Sequence, residues 1–487
     1  MTAMTRPDVE PRDLFIDGGW RPASGGDRID VVDPSTGRPV TTVAAADTDD
    51  VDAAVAAARL AFDEGPWSRT PGRERARVLH RVADLIRERA DEIVATESLD
   101  VGKPVALCRA IDLETVAEQY EYYSALAQTL DGATRQIPIP SHAYTRREPV
   151  GVVGAITPFN FPLILSNSKF APALAAGNTV VHKPAEDTPL SALLMAEILT
   201  DAGVPAGAIN VVTGTGPVAG EALLRHPGVD KIAFTGSTQV GRHAASAAGE
   251  ALKPITMELG GTAAQIVFDD AGVEQAIGSA IKAFVFNTGQ FCMSAPRLLV
   301  ARPLYDTVVD ALAGAVGQVP VGDPFDLDTV IGPMTAQRHV RKVERYIQAA
   351  RDDGGKIVAG GERLDHDGGF FMAPTVIAGL ANDSRVIQEE ICGPVLTVQA
   401  FDGEDEAVAM ANSTPYGLAA GLHTGDVSRA HRVAARLQAG IVWVNDWALL
   451  DPAMPFGGMK QSGYGREYGP EALDAYTRVK SVVISLA

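Results

Sequence analysis

A thiol at Cys292, in the run Phe286-Asn287-Thr288-Gly289-Gln290-Phe291-Cys292, follows a carboxylate at Glu258 in Glu258-Leu259-Gly260-Gly261. The pair suits a reaction in two stages: the thiol attacks a carbonyl to make a thioester, then a separate base activates the water that hydrolyses it. A lone cysteine is more often a small core hydrophobe, so the reading depends on the company Cys292 keeps. Part of that company is Thr157-Pro158-Phe159-Asn160-Phe161-Pro162, where two prolines fix the backbone around an amide that can donate to an oxyanion. Outside this setting an asparagine there would merely satisfy a turn.

These groups need a scaffold, and the sequence predicts an α/β one. From Tyr144 to Val267, β-branched runs at 152–156, 178–181, 209–212, 231–234 and 255–258 alternate with helical stretches, the pattern of a parallel sheet covered on both faces. Ala-rich, charged helical text from Asp49 to Asp100 would flank it, and a second αβ alternation after Val273 places Cys292 in a domain facing the first. The loops Asp352–Gly354 and Asp365–Gly369 read as surface turns. The terminal stretch Thr477–Ser485 alternates like a strand without an evident mate. With Arg135-Gln136-Ile137-Pro138 it is expected to form a ribbon that pairs with another subunit, an internal edge strand being the alternative.

Three loops of the first sheet suit a dinucleotide. Gly214-Thr215-Gly216-Pro217-Val218-Ala219-Gly220 mimics the glycine fingerprint with one residue too many. Phe234-Thr235-Gly236-Ser237 opens a helix whose N–H groups could receive a pyrophosphate, or be capped by the serine alone. Lys183-Pro184-Ala185-Glu186 brings a cation and a carboxylate to a strand end, where the carboxylate would accept ribose hydroxyls and repel a 2′-phosphate, favouring NAD over NADP.

Composition excludes several classes. With 61 acidic against 42 basic residues the net charge is −19, which repels nucleic-acid backbones and anionic membranes. No run of eighteen apolar residues occurs, the polar start carries neither signal nor transit features, and three scattered cysteines suit a reducing compartment, so a cytoplasmic protein is expected. No metal site is expected, and each of the nine histidines reads as surface or packed imidazole.

From about Leu14 to Val483 the chain resembles the aldehyde dehydrogenase superfamily. The motifs above, together with Met257-Glu258-Leu259-Gly260-Gly261, Gly289-Gln290-Phe291-Cys292 and Pro455-Phe456-Gly457-Gly458-Met459-Lys460-Gln461-Ser462-Gly463, occur in the family's order and spacing. The resemblance implies a Rossmann-type cofactor domain at 1–128 and 149–258, an α/β catalytic domain at 259–458, a small β oligomerisation arm at 129–148 and 476–487, and a dimer or dimer of dimers. It implies Cys292 as nucleophile, Glu258 as general base, Asn160 with the Cys292 N–H as oxyanion hole, and Lys169 and Glu467 as a proton path. For NAD it implies Lys183, Glu186 and Ser237 at the adenosine half, Glu390 at the nicotinamide ribose, and further contacts from Thr157, Phe159, Gly216, Gly236 and Leu259. Members that pass the acyl group to coenzyme A typically lack the glutamate, so hydrolysis is expected.

The family usually writes Phe where this chain has Cys392, which implies looser nicotinamide placement and a second thiol near the cofactor, or simply a small apolar filler. Gly261-Thr262-Ala263-Ala264-Gln265 also departs from the usual text, in a loop that leaves Glu258 untouched. Phe161, Leu165, Phe286, Phe291, Met293, Trp447 and Leu449 are expected to wall the substrate pocket, favouring an uncharged aliphatic or aromatic aldehyde. An aminoaldehyde or betaine-aldehyde enzyme would stack a quaternary ammonium on Trp447, but Ser168 stands where a further aromatic of that box is expected. A cysteine esterase or acyltransferase using the same thiol, and a non-catalytic scaffold, are the other readings.

Overall fold

In the computed structural model, which describes residues 4–486, the alternating β-branched runs and helices build two sheets. Strands Val152–Ile156, Thr179–Lys183, Ile209–Val211, Lys231–Thr235 and Ile255–Glu258 form the parallel centre of an eight-stranded sheet, within a residue or two of the predicted runs. Ranked by chain position, they lie in the order third, second, first, fourth, fifth. The order therefore reverses between Val152–Ile156 and Lys231–Thr235, and the crevice beyond the carboxyl ends of such a pair is where a doubly wound sheet receives ligands. Both faces are covered, which is why these strands read as apolar runs without alternation. Leu14–Ile16 extends one edge antiparallel, and Gly463–Tyr464 closes the other against Met257 and Glu258.

The second sheet has seven strands, six of them parallel: Thr375–Ala378, Val395–Phe401, Arg297–Ala301, Ala264–Val267, Ala419–His423 and Ile441–Val444. Only the loop Leu259-Gly260-Gly261-Thr262-Ala263 separates Glu258, the last residue of the first sheet's central strands, from Ala264 in the second. The base candidate thus stands at the seam between the sheets. Helix Pro162–Ala176 begins two residues after Asn160 with proline at its first position, where the missing N–H costs nothing. It is buried over almost its whole length, so its polar residues must find partners inside: Asn167 accepts from the Tyr120 hydroxyl at 2.6 Å, and Lys169 pairs with Glu467.

The terminal strand Thr477–Ser485 does have a mate within the chain. It pairs antiparallel with Ser141–Pro149 along its full length, in register from Thr477 with Pro149 to Ser485 with Ser141. Of the expected partner segment, only Arg135 is in a strand, in the short Thr134–Arg135 on the far side of Ser141–Pro149. Pro138 and Pro140 fall in the intervening reversal, where they cannot donate to a ladder. Among the described residues Thr477–Ser485 is the outermost strand of this three-stranded sheet, and it exposes Val479, Val483 and Ile484. Among the described residues no helix is long and apolar enough to cross a membrane.

Candidate active site

Cys292 is half-buried at the end of a strained loop. Asn287, Thr288 and Gly289 all adopt left-handed backbone, with φ of 48°, 57° and 68°, a conformation that costs a residue bearing a Cβ about 1–2 kcal/mol. Gly289 has no alternative, since a Cβ there would collide with the Gly393 backbone. Asn287 suits the left-handed region and uses its amide to hold the site together: Nδ2 donates to the Asn160 carbonyl at 2.7 Å and the Gln290 carbonyl at 3.1 Å. Thr288 Oγ1 donates to the Gly332 carbonyl at 3.0 Å, and Gln290 Oε1 accepts from the Thr335 N–H at 3.0 Å. Strain stored beside a nucleophile and over-determined by such bonds is a mark of functional sites. Asn160 is buried, and its Nδ2 donates to the Gln290 carbonyl at 3.1 Å, spending one of two amide hydrogens and leaving the other for an oxyanion.

Glu258 is buried and neither carboxylate oxygen has a hydrogen-bond partner. Burial, reinforced by Glu467 and only partly offset by Lys169 and Arg466, raises its pKa well above the usual carboxylate range. Burial also pushes the Cys292 thiol up, helped by Glu390, Glu258 and Cys392, so the resting sulfur is protonated. Glu467 pairs with Lys169 and accepts from the Ser168 hydroxyl at 2.9 Å. Ser168 is therefore spent on Glu467 rather than facing a ligand box.

Cys292, Leu165 and Phe456 are shared by two cavities. The first, about 210 Å³, opens at the strand-order reversal and is lined by Phe159, Gly236, Ser237, Leu259 and Glu390, as the sequence leads one to expect. Four residues of the expected cofactor set, Thr157, Gly216, Lys183 and Glu186, do not line it. Thr157 is buried, its Oγ1 bonded to His182 Nε2 at 2.9 Å, so it braces the sheet while Pro158 beside it lines the cavity. Gly216 is exposed at the start of the turn Gly216–Gly220 and does not line this cavity. Lys183 and Glu186 lie at the next strand end, Nζ to Oε2 3.3 Å; burial lowers the lysine pKa against the pull of Glu186, while for Glu186 burial is the largest influence and raises the pKa, but Lys183, the residue's own backbone N–H and Arg338 together bring it below the usual value. His339 and Lys342, from helix Gln337–Asp352, line the cavity unanticipated. The His339 ring stacks on Phe159 with centroids 4.0 Å apart, and burial lowers its pKa to about 3, so it is neutral. Cys392 lines the cavity too, in left-handed backbone (φ 58°), its thiol pushed up to about 12 by burial and then Glu390.

The second cavity, about 170 Å³, is walled by Phe161, Leu165, Phe286, Phe291 and Met293, all expected. Trp447 and Leu449 are not walls. Trp447 is 0% exposed, packed over Gly421 with Nε1 donating to the Met293 carbonyl at 3.1 Å, while Leu449 is 61% exposed and turned outward. The wall comes instead from Ala448 and Leu450. A loop shows no periodicity from which the inward residues could be read, although the left-handed φ of 60° at Ala448 explains the change of face. Ile111, Thr115 and Tyr468 also line it, arriving from segments remote in sequence, as do Ile164 and the charged Lys282 and Glu467.

The aldehyde dehydrogenase family model matches residues 20–482. The chain belongs to the aldehyde dehydrogenase family. It is 45% identical over 473 residues to a protein of Bacillus subtilis (strain 168) described as an aldehyde dehydrogenase, DhaS, covering 97% of this chain and 95% of that one. A Bacillus cereus aldehyde dehydrogenase solved as an NAD+ complex superposes with a TM-score of 0.96 at 42% identity, covering 98% of this chain and 97% of the other. Betaine aldehyde dehydrogenase from Staphylococcus aureus, in complex with NAD+, gives a TM-score of 0.96 at 37% identity, covering 97% and 94%.

Proposed function

We propose that this aldehyde dehydrogenase oxidises an uncharged aliphatic or aromatic aldehyde to its carboxylic acid with NAD, through a thiohemiacetal and a thioester on Cys292. The observation that carries the reading is that Cys292 lies on the boundary of two cavities, one at the sheet's ligand crevice and one apolar. NAD fits the first: Gly236 leaves backbone approachable, Ser237 caps the 13-residue helix Thr238–Glu250 whose positive end suits a pyrophosphate, and Thr235 Oγ1 is buried without a partner. Glu390 and Glu186 offer carboxylates for ribose hydroxyls, and Glu186 disfavours a 2′-phosphate. NAD bound there supplies a two-electron acceptor.

The chain's own residues supply the rest. Cys292 Sγ, once deprotonated, adds to the carbonyl carbon, and the oxygen that becomes an alkoxide meets the free Asn160 N–H and the Cys292 backbone N–H. Each such donor contributes roughly 3–4 kcal/mol in comparable holes. After oxidation the carbon is a thioester. Glu258, a stronger base for its raised pKa, takes a proton from water, and the hydroxide adds to the carbonyl and expels the Cys292 thiolate. The Glu467–Lys169 pair beside Glu258 gives that proton a way out.

Most of the pocket's walls are aromatic or aliphatic, its charged members are the cation Lys282 and Glu467, the latter already paired with Lys169, and Trp447, the residue that would stack on a quaternary ammonium, is sealed beneath the surface, which together support an uncharged rather than a cationic substrate. Absorbance of NADH across a panel of neutral and cationic aldehydes tests this: neutral aldehydes are expected to be oxidised with the higher kcat/KM. Ester hydrolysis without any NAD-dependent oxidation would instead establish the esterase alternative. We further propose that the divided chain segments form the three units named from sequence and that the outer strand Thr477–Ser485, through its exposed Val479 and Val483, joins subunits in a soluble cytoplasmic oligomer.

A further inference from the structure

Beneath the aldehyde pocket lies a charged group that the chemistry above does not use. Lys103 Nζ donates to Glu97 Oε1 at 3.1 Å and also to Asp112, and all three side chains are shut off from solvent. Glu97 Oε2 and Asp112 Oδ2 have no hydrogen-bond partner. Buried ion pairs contribute little net stability compared with well-packed apolar residues. Their position here is more telling. The Lys103 ammonium stands 4.1 Å from the centroid of the Phe161 ring, which directly follows Asn160 and stacks on Phe286 at 5.8 Å in the pocket wall. Asp112 belongs to the π-turn Cys108–Leu113, next to Ile111 on another wall of the same pocket. Such π-turns are rare and concentrate at functional sites.

We infer that Lys103 is a positioning residue for the aldehyde pocket: one ammonium ties the Phe161 wall to the π-turn carrying Ile111 and so sets the spacing between them. The inference rests on the aldehyde-oxidising reading. A short aldehyde reaches Cys292 without filling the space between the two walls, whereas an aromatic one must fit between them. Loss of the ammonium therefore penalises the aromatic substrate selectively, and it does so through Phe161.

The test compares kcat and KM for propanal and benzaldehyde in the full-length wild type, K103M, F161L and the double variant. K103M is expected to raise KM for benzaldehyde about tenfold while leaving propanal turnover nearly unchanged. In the F161L background, adding K103M is expected to move the benzaldehyde-to-propanal ratio no further, because the two changes break one contact. If K103M does not fold, the neutral variant E97Q/K103M/D112N, which leaves no unpaired buried charge, carries the same comparison. Equal losses for both aldehydes, or effects of K103M and F161L that simply add, would overturn the inference while wild-type NADH formation still upholds the reading beneath it. No NADH from the wild type with either aldehyde overturns both.

Discussion

At the scale of single residues, the site turns on two acidic hydrogens held back by burial. Cys292 and Glu258 both have raised pKa values, so each keeps its proton at a pH where an exposed counterpart would have begun to lose it. For Glu258 the sign is direct: the proposed base works only when deprotonated, so turnover is expected to fall as pH falls through its raised pKa, on a limb above the ordinary carboxylate range of about 4.3. Glu467 contributes to that elevation and Lys169 opposes it. E467Q removes a negative neighbour and frees the cation, so it is expected to move the acidic limb of the kcat–pH profile to lower pH. A limb that stays in place would show that Glu258 does not govern it. Cys292, Glu258 and Asn160 could be named as candidates from sequence because the chemistry proposed for them is carried by side-chain type within short motifs, and the structure brings all three to one cavity. His339 was not, since an imidazole in an amphipathic helix reads as packing until that helix is seen to line the crevice.

At the scale of elements, what matters is that the loops at strand ends are held rigidly. The loop leading to Cys292 spends backbone strain at Asn287 and Thr288, and the Asn287 amide recovers part of it by bonding the Asn160 and Gln290 carbonyls. N287A removes those bonds and leaves alanine in left-handed backbone. It is expected to lower Tm by several degrees and kcat by up to about a hundredfold, since misplacement of roughly 1 Å suffices for that. Unchanged kcat with lowered Tm would mean that the loop supports only folding. The five central strands were readable because β-branched runs mark buried parallel strands whatever their neighbours. The loop from Asp446 to Leu450 was not: which of Trp447, Ala448, Leu449 and Leu450 face inward depends on one left-handed residue and on the room above Gly421.

At the scale of the whole molecule, the two sheets meet where Glu258 ends one and the glycine loop leads into the other, so Glu258 lies at a seam that neither sheet forms alone. Element order along the chain conveyed this architecture, and the resemblance grouped 129–148 with 476–487 in one arm, whereas local pattern alone gave Thr477–Ser485 no mate because Ser141–Pro149 lies more than three hundred residues away. The exposed Val479 and Val483 on the outer strand of that ribbon are the proposed subunit contact. V479K/V483K is expected to shift the mass measured by light scattering toward that of a single 51.1 kDa chain, and an unchanged mass would place the contact elsewhere. The central claim, a thioester on Cys292 formed by NAD-dependent oxidation, is tested most directly by acid-quenching the enzyme during turnover of a neutral aldehyde and weighing its peptides. The account predicts NADH together with an acyl group on the Cys292 peptide; NADH formed with that peptide unmodified, in both the wild type and E258Q, would contradict it.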